Sequence, residues 1–106
     1  MANIEEFKRI ELKIARVVEA IPHPNADKLL VLTIDTGSST KQIVAGIARY
    51  YSPADLIQKQ VVVVDNLDPA VIRGVTSNGM LLAASDGEHL SLIIPERPMT
   101  PGCTVR

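Results

Sequence analysis

Apolar and polar positions alternate at the start of the chain. Ile10, Leu12 and Ile14 stand between Glu11 and Lys13, the period-two pattern of a half-buried strand. The alternation slips by a residue near Ala15 and resumes at Val17, which predicts a bulge or sharp bend of the kind that curls a sheet toward closure. Pro22-His23-Pro24-Asn25 breaks the strand, and Lys28 opens a second one, LLVLTIDT, apolar enough to be covered for most of its length. Gly37-Ser38-Ser39 turns the chain into a third strand over 41–45. Residues 60–65, with four consecutive valines, form a fourth. Segments 79–85 and 90–94 form a last pair around Asp86-Gly87, a tight-turn dipeptide.

Two short helices interrupt this pattern. Residues 4–9 are predicted as one turn that packs Phe7 inward. Ser52-Pro53-Ala54-Asp55 places Ser at the cap and Pro at the first helical position of a helix ending near Ile57. The tail PERPMTPGCTVR is too rich in proline for regular structure. The expected fold is therefore all-β: a five-stranded OB-type barrel with a short helix between strands 3 and 4 and an irregular C-terminal extension. One domain is expected over residues 1–106, since the chain is long enough for one modest core and too short for two.

Composition narrows the function. Trp is absent and aliphatic residues dominate, so the core is expected to be built from Val, Ile, Leu and Ala, and oligomer formation would help so small a core. No apolar run approaches the roughly 20 residues that cross a bilayer, and the acidic start MANIEEF lacks the order of a signal peptide. A cytoplasmic protein without membrane partners is expected. The lone Cys103 has no CxxC or His cluster beside it, so no metal-ligand set is present, and His23 and His89 read as ordinary solvated imidazoles in turns. HExxH, Walker, GxSxG and GxGxxG motifs are missing, which leaves no catalytic residue to nominate.

A net charge of −1 argues against indiscriminate binding of nucleic acid. The distribution is mildly biased: residues 1–59 hold eight Lys and Arg against seven Asp and Glu, and 60–106 hold three against five. Phe7, Tyr50 and Tyr51 are the only aromatics; Phe7 reads as core, and at least one tyrosine is expected to pack inward. Stacked-base readout is thus disfavoured relative to recognition of shape and backbone. The cations in or beside loops, Lys28, Lys41, Arg49, Lys59 and Arg73, are the candidate phosphate contacts. Arg73 stands out between an apolar residue and a glycine, where a planar five-donor group can clamp a phosphate or brace the loop.

Four segments carry a resemblance: FKRIELKIARVVEAIPHPNADKLLVLTID, IVAGIARYYSPADLIQKQVVVVDNL, IRGVTSNGMLLAAS and LIIPERPMTPG. In that order, over almost the whole chain, they resemble the tRNA-binding domain family. Its members include stand-alone structure-specific tRNA-binding proteins, the C-terminal domain of many methionyl-tRNA synthetases, domains of multisynthetase cofactors, and a secretion-associated chaperone. The resemblance implies an OB barrel, usually a homodimer, that binds the outside of tRNA by shape, needs no cofactor, and works as a stand-alone protein or beside methionyl-tRNA synthetase. The family's pattern after the fourth strand falls on Asn66, Leu67, Arg73, Gly74, Ser77, Gly79 and Met80, which implies that Asn66, Arg73 and Ser77 join the RNA-contacting rim. Asp68, Ala70 and Val71 occupy a stretch that is commonly basic in the family, so fewer phosphate contacts are expected there. A peptide-binding chaperone or protein-interaction module of the same fold is the alternative reading.

Overall fold

The computed structural model describes residues 1–106. In chain order the elements are α1 (Ile4–Lys8), β1 (Leu12–Pro22), β2 (Leu30–Asp35), β3 (Thr40–Ala45), α2 (Pro53–Leu56) and β4 (Gln60–Val64). Then come β5 (Ala70–Ile72), β6 (Val75–Ser77), β7 (Met80–Leu81), β8 (Ala83–Ser85), β9 (Leu90–Leu92) and β10 (Thr104–Val105). The main sheet runs β3-β2-β1-β4-β7, all antiparallel, and it curls into a nearly closed OB-like barrel, as the sequence predicted. The β1–β2 register shifts between Val17 and Glu19, so the bulge lies slightly later than the slip in the alternation. The bend there lets β1 pair with β2 along its second half and with β4 along its first.

Residues from five strands, the loop after β3 and α2 make the core: Ala15 and Val17, then Leu30, Leu32 and Ile34, then Ile43, Ala45 and Ile47, Leu56, Val61 and Val63, and Leu92 of β9. The valine run of β4 is buried on both faces. Val61 and Val63 point into the barrel, while Val62, like Ile14 on β1, lies under the C-terminal tail against Ile93, Met99 and Val105. The tail is held there by backbone bonds from Gly102 N to Ile14 O (2.7 Å) and from Ile14 N to Cys103 O (3.0 Å), and β10 pairs Leu12 with Val105. It also packs backbone to backbone on the β2–β3 turn. A Cβ at Gly102 would sit 2.4 Å from Thr36 O, and one at Gly37 would sit 2.5 Å from Pro101 O.

Closure between β3 and the β6–β7 segment does not use a regular ladder. Asn78 N donates to Gln42 O (2.9 Å), Gln42 Nε2 to Thr76 O (2.8 Å), and Val44 N to the hydroxyl of Ser77 (2.9 Å). Ser77 Oγ in turn donates to Gly79 O (2.9 Å) and is 3% exposed, so one side chain closes the seam where a strand carbonyl would otherwise serve. Ser77→Ala leaves a buried N–H without an acceptor; a loss of about 1–3 kcal/mol in a denaturant melt is expected.

Several expectations change. Phe7 is 45% exposed rather than core: α1, closed by an Asn3–Glu6 capping box, buries none of its residues. Tyr51 packs on the core, its hydroxyl accepting from Leu92 N at 3.1 Å, while Tyr50 is exposed. Ser52 caps α2 by position, but its hydroxyl donates to the Asp55 carboxylate (2.8 Å) instead of accepting from a backbone amide. Residues 79–85 split into β7, which pairs with β4, and β8, which pairs with β9. The turn after β8 has four residues, 86–89, because Asp86 Oδ1 accepts from Glu88 N and His89 N and winds the loop around its own carboxylate. The β5–β6 hairpin and β10 were not anticipated.

Candidate nucleic-acid interface

The segment between β4 and β7 is built around a hairpin. Ile72 pairs with Val75, so Arg73 and Gly74 alone form the turn, at φ +52° and +89°. Both central residues of this mirror-image turn need positive φ, which Gly74 accepts freely and Arg73 only at a local cost. The tip is stapled to the loop between β1 and β2. His23 Nε2 lies 3.0 Å from Ile72 O, Arg73 Nη2 donates to Asn25 O (3.1 Å), and Asn25 Nδ2 reaches Arg73 O at 3.5 Å. Arg73 and Lys28 thereby line one open cleft of about 430 Å³ with Asn25 and Asp27.

His23 is a correction to the reading of a solvated imidazole. It is 6% exposed, and its Nδ1 accepts from Asn25 N (2.9 Å). That leaves the proton on Nε2, facing Ile72 O, so the neutral ring satisfies both neighbours. His89 does lie in solvent, with Nδ1 3.1 Å from Asp86 Oδ2. Asp86 titrates below its ordinary range because His89 N and then Glu88 N donate to its carboxylate.

The seven expected contact residues fall into three groups. Arg73 and Lys28 share the cleft, with donors facing solvent. Arg49, in the loop after β3, is exposed but does not line it, and Lys59 lines a different cleft at the start of β4. Lys41, Asn66 and Ser77 are occupied by the fold itself. Lys41 Nζ sits 2.7 Å from Asp65 Oδ1 and donates to Asp65 O (2.8 Å). Asn66 joins α1 to β1, accepting from Glu11 N (2.9 Å) and donating to Arg9 O (2.6 Å), and Ser77 closes the barrel.

Asp65 is the electrostatic centre of that region. Lys13 Nζ reaches Oδ2 at 2.9 Å from one side and Lys41 reaches Oδ1 from the other. Burial pushes its carboxyl up, but the hydrogen bonds and charges of Lys41 and Lys13 together outweigh burial and hold it below the usual range. The hydrogen bond to Asp65, and then its charge, raise Lys13. Two of the eleven cations thus share one carboxylate within the fold. Sequence reasoning missed Asn25 and His23, whose partners lie 48 and 49 positions away. The PHPN run marked only a strand break.

The chain matches the family model described as "Putative tRNA binding domain" over residues 12–104. The methionine–tRNA ligase of Pyrococcus furiosus is 47% identical over 104 residues, which cover 98% of this chain and 14% of the ligase. The chain therefore spans only a small part of the curated relatives it matches. A methionyl-tRNA-synthetase-related protein from Pyrococcus horikoshii superposes with TM-score 0.93 at 31% identity, covering 100% of this chain and 98% of that one. The chaperone CsaA of Bacillus anthracis superposes with TM-score 0.90 at 31% identity, over 100% of this chain and 99% of its own. No helix of this chain is long and apolar enough to cross a membrane.

Proposed function

Because the chain belongs to the tRNA-binding domain family, we propose that residues 1–106 form a non-catalytic module holding tRNA by its shape and phosphate backbone, beside or attached to a methionine–tRNA ligase in the cytoplasm. The observation that carries this reading is the Arg73 hairpin. A guanidinium held at a turn tip by Asn25, with Lys28 in the same cleft, is a pre-organised pair of cations. Pre-organisation lowers the ordering entropy lost when a phosphate binds. The guanidinium has five N–H donors, and Asn25 O takes one nitrogen's share, so the rest of the fork stays available.

The test is binding of labelled full-length tRNA across a salt series, beside single-stranded RNA of equal length. Folded tRNA is expected to bind more tightly, with affinity falling as salt rises. Arg73→Ala is expected to weaken binding roughly fivefold, about 1 kcal/mol, with an unchanged thermal melt. Equal affinity would remove Arg73 from the site.

The module works as a homodimer. Ile4, Phe7 and Ile10 at the N-terminus, and Ile93 near the tail, are all at least 42% exposed. Such exposed apolar surface on a small domain supports this reading. Sedimentation that finds only monomer through a concentration series would sink this. The chaperone alternative is the weaker reading: a dimer would cover the exposed apolar residues, and the hairpin cleft holds Arg73 and Lys28.

A further inference from the structure

We infer that the cleft bounded by Arg16, Lys59 and Arg97 is a second phosphate site, which takes backbone phosphate of the same RNA at a distance from Arg73. The inference rests on the proposed tRNA binding and adds to it a surface that the Arg73 hairpin does not touch. The cavity is about 400 Å³, and Gln58, Gln60 and Glu96 are among its lining residues. With Asp35 paired to Arg16, the local balance is three cations against two carboxylates, or +1, in a chain whose net charge is −1.

The fold builds this cleft deliberately. Ala15 and Val17 belong to the core, so alternation along β1 turns Arg16 outward between them. Its Nη2 is anchored to Asp35 Oδ2 at 3.3 Å, and its Nε is buried without an acceptor in the chain. The guanidinium is therefore fixed in place, with Nη1 the one nitrogen that is neither buried nor bonded within the chain. Gln58 adopts φ +72°, a left-handed conformation unusual for a residue with a Cβ, and is held there by donating to Val17 O (2.7 Å). That turn brings Lys59 to the cleft beside Arg16. The opposite wall is fixed by a reciprocal pair between the Gln60 amide and the Met99 backbone, which ties the Arg97 segment against β4.

Phosphate suits this site better than an apolar ligand. Six of the nine lining residues are polar or charged, and a guanidinium with a second and third cation matches an anion with several acceptor oxygens. The six residue steps of β1 from Arg16 to Pro22 separate this cleft from the hairpin loop, at most roughly 20 Å at about 3.3 Å per step. One phosphate cannot reach both sites, whereas a folded RNA can.

The test pairs two substitutions that leave the scaffold alone. Lys59 makes no side-chain hydrogen bond, and Arg97 has only a 3.7 Å contact with its neighbour Glu96. The double variant Lys59→Gln, Arg97→Gln is titrated with tRNA over a salt series, beside wild type and Arg73→Ala, with thermal melts as control. Expected is a five- to tenfold weaker affinity and a salt slope shallower by about 1–2, since each lost phosphate contact removes about 0.7–0.9. If wild type binds and Arg73→Ala weakens it, but the double variant matches wild type in affinity and slope, this inference is overturned and the proposed function stands. If wild-type protein shows no tRNA binding at low salt, both fall.

Discussion

Gly102→Ala is expected to lower stability by about 3 kcal/mol or more, which for a domain of this size moves the melting temperature by roughly 10–20 °C. Two effects add. Gly102 sits at φ +92°, where a side chain costs about 1 kcal/mol or slightly more, and its Cβ would meet Thr36 O at 2.4 Å and Gly37 Cα at 3.1 Å. Backbone cannot yield as a side-chain tip can, so the tail must lift off the β2–β3 turn. Lifting it breaks the bonds to Ile14 and uncovers the outer face of β1 and β4. Gly87 supplies the control: its φ is +95°, yet a Cβ there meets nothing within 4 Å. Gly87→Ala should cost only the conformational part, about 1 kcal/mol. Equal losses at the two positions would mean that close packing of the tail contributes nothing.

Asp65→Ala is the second large effect, with an expected loss of about 1–3 kcal/mol, because it leaves Lys13 and Lys41, both less than a third exposed, without their shared partner. The same carboxylate governs the response to acid. Its folded-state titration lies below the unfolded value, so its stabilising contribution is complete above the unfolded carboxylate range and is lost as pH falls through the folded value. Lys13 behaves oppositely. Its raised titration gives a contribution complete below the ordinary lysine range and lost only as pH rises through the folded value. Wild type should therefore lose stability between mildly and strongly acidic pH more steeply than Asp65→Ala. Parallel acid profiles for the two proteins would refute the assignment. The variant also frees two cations beside the hairpin, and a rise in tRNA affinity on that account would be measurable in the same titration.

The barrel was legible because its signals are local. Alternation in β1, the proline break, the apolar run of β2 and the Ser-Pro helix start each sit within a few residues of the element they define. The β5–β6 hairpin escaped notice because its turn is Arg-Gly, and an arginine at positive φ carries no turn signal in sequence. Phe7 was misplaced because an apolar residue beside a strand reads as core, whereas five residues of helix at the chain's start have nothing to pack beneath. The tail was read as irregular, but its docking depends on Gly37 meeting Gly102 across the molecule. At the candidate interface, the family pattern singled out the Arg73 loop. It could not reveal that Lys41, Asn66 and Ser77 are occupied by Asp65, by Arg9 and Glu11, and by Val44. Those partners lie 24 to 57 positions away, beyond any local pattern.

Pairing of Leu12 with Val105 sets a kinetic condition on this fold. The first strand finds its last neighbour only after residue 105 has left the ribosome, so synthesis must run nearly to the end of the domain before β1 is covered on every side. Until then Ile14 and the outer valines of β4 face water in a chain whose other strands can already pair. Such long-range closure places refolding in the millisecond-to-second range of barrels rather than among the microsecond helical bundles. It also exposes aggregation-prone surface during that interval, when an occupied ribosome or a neighbouring nascent chain stands closest.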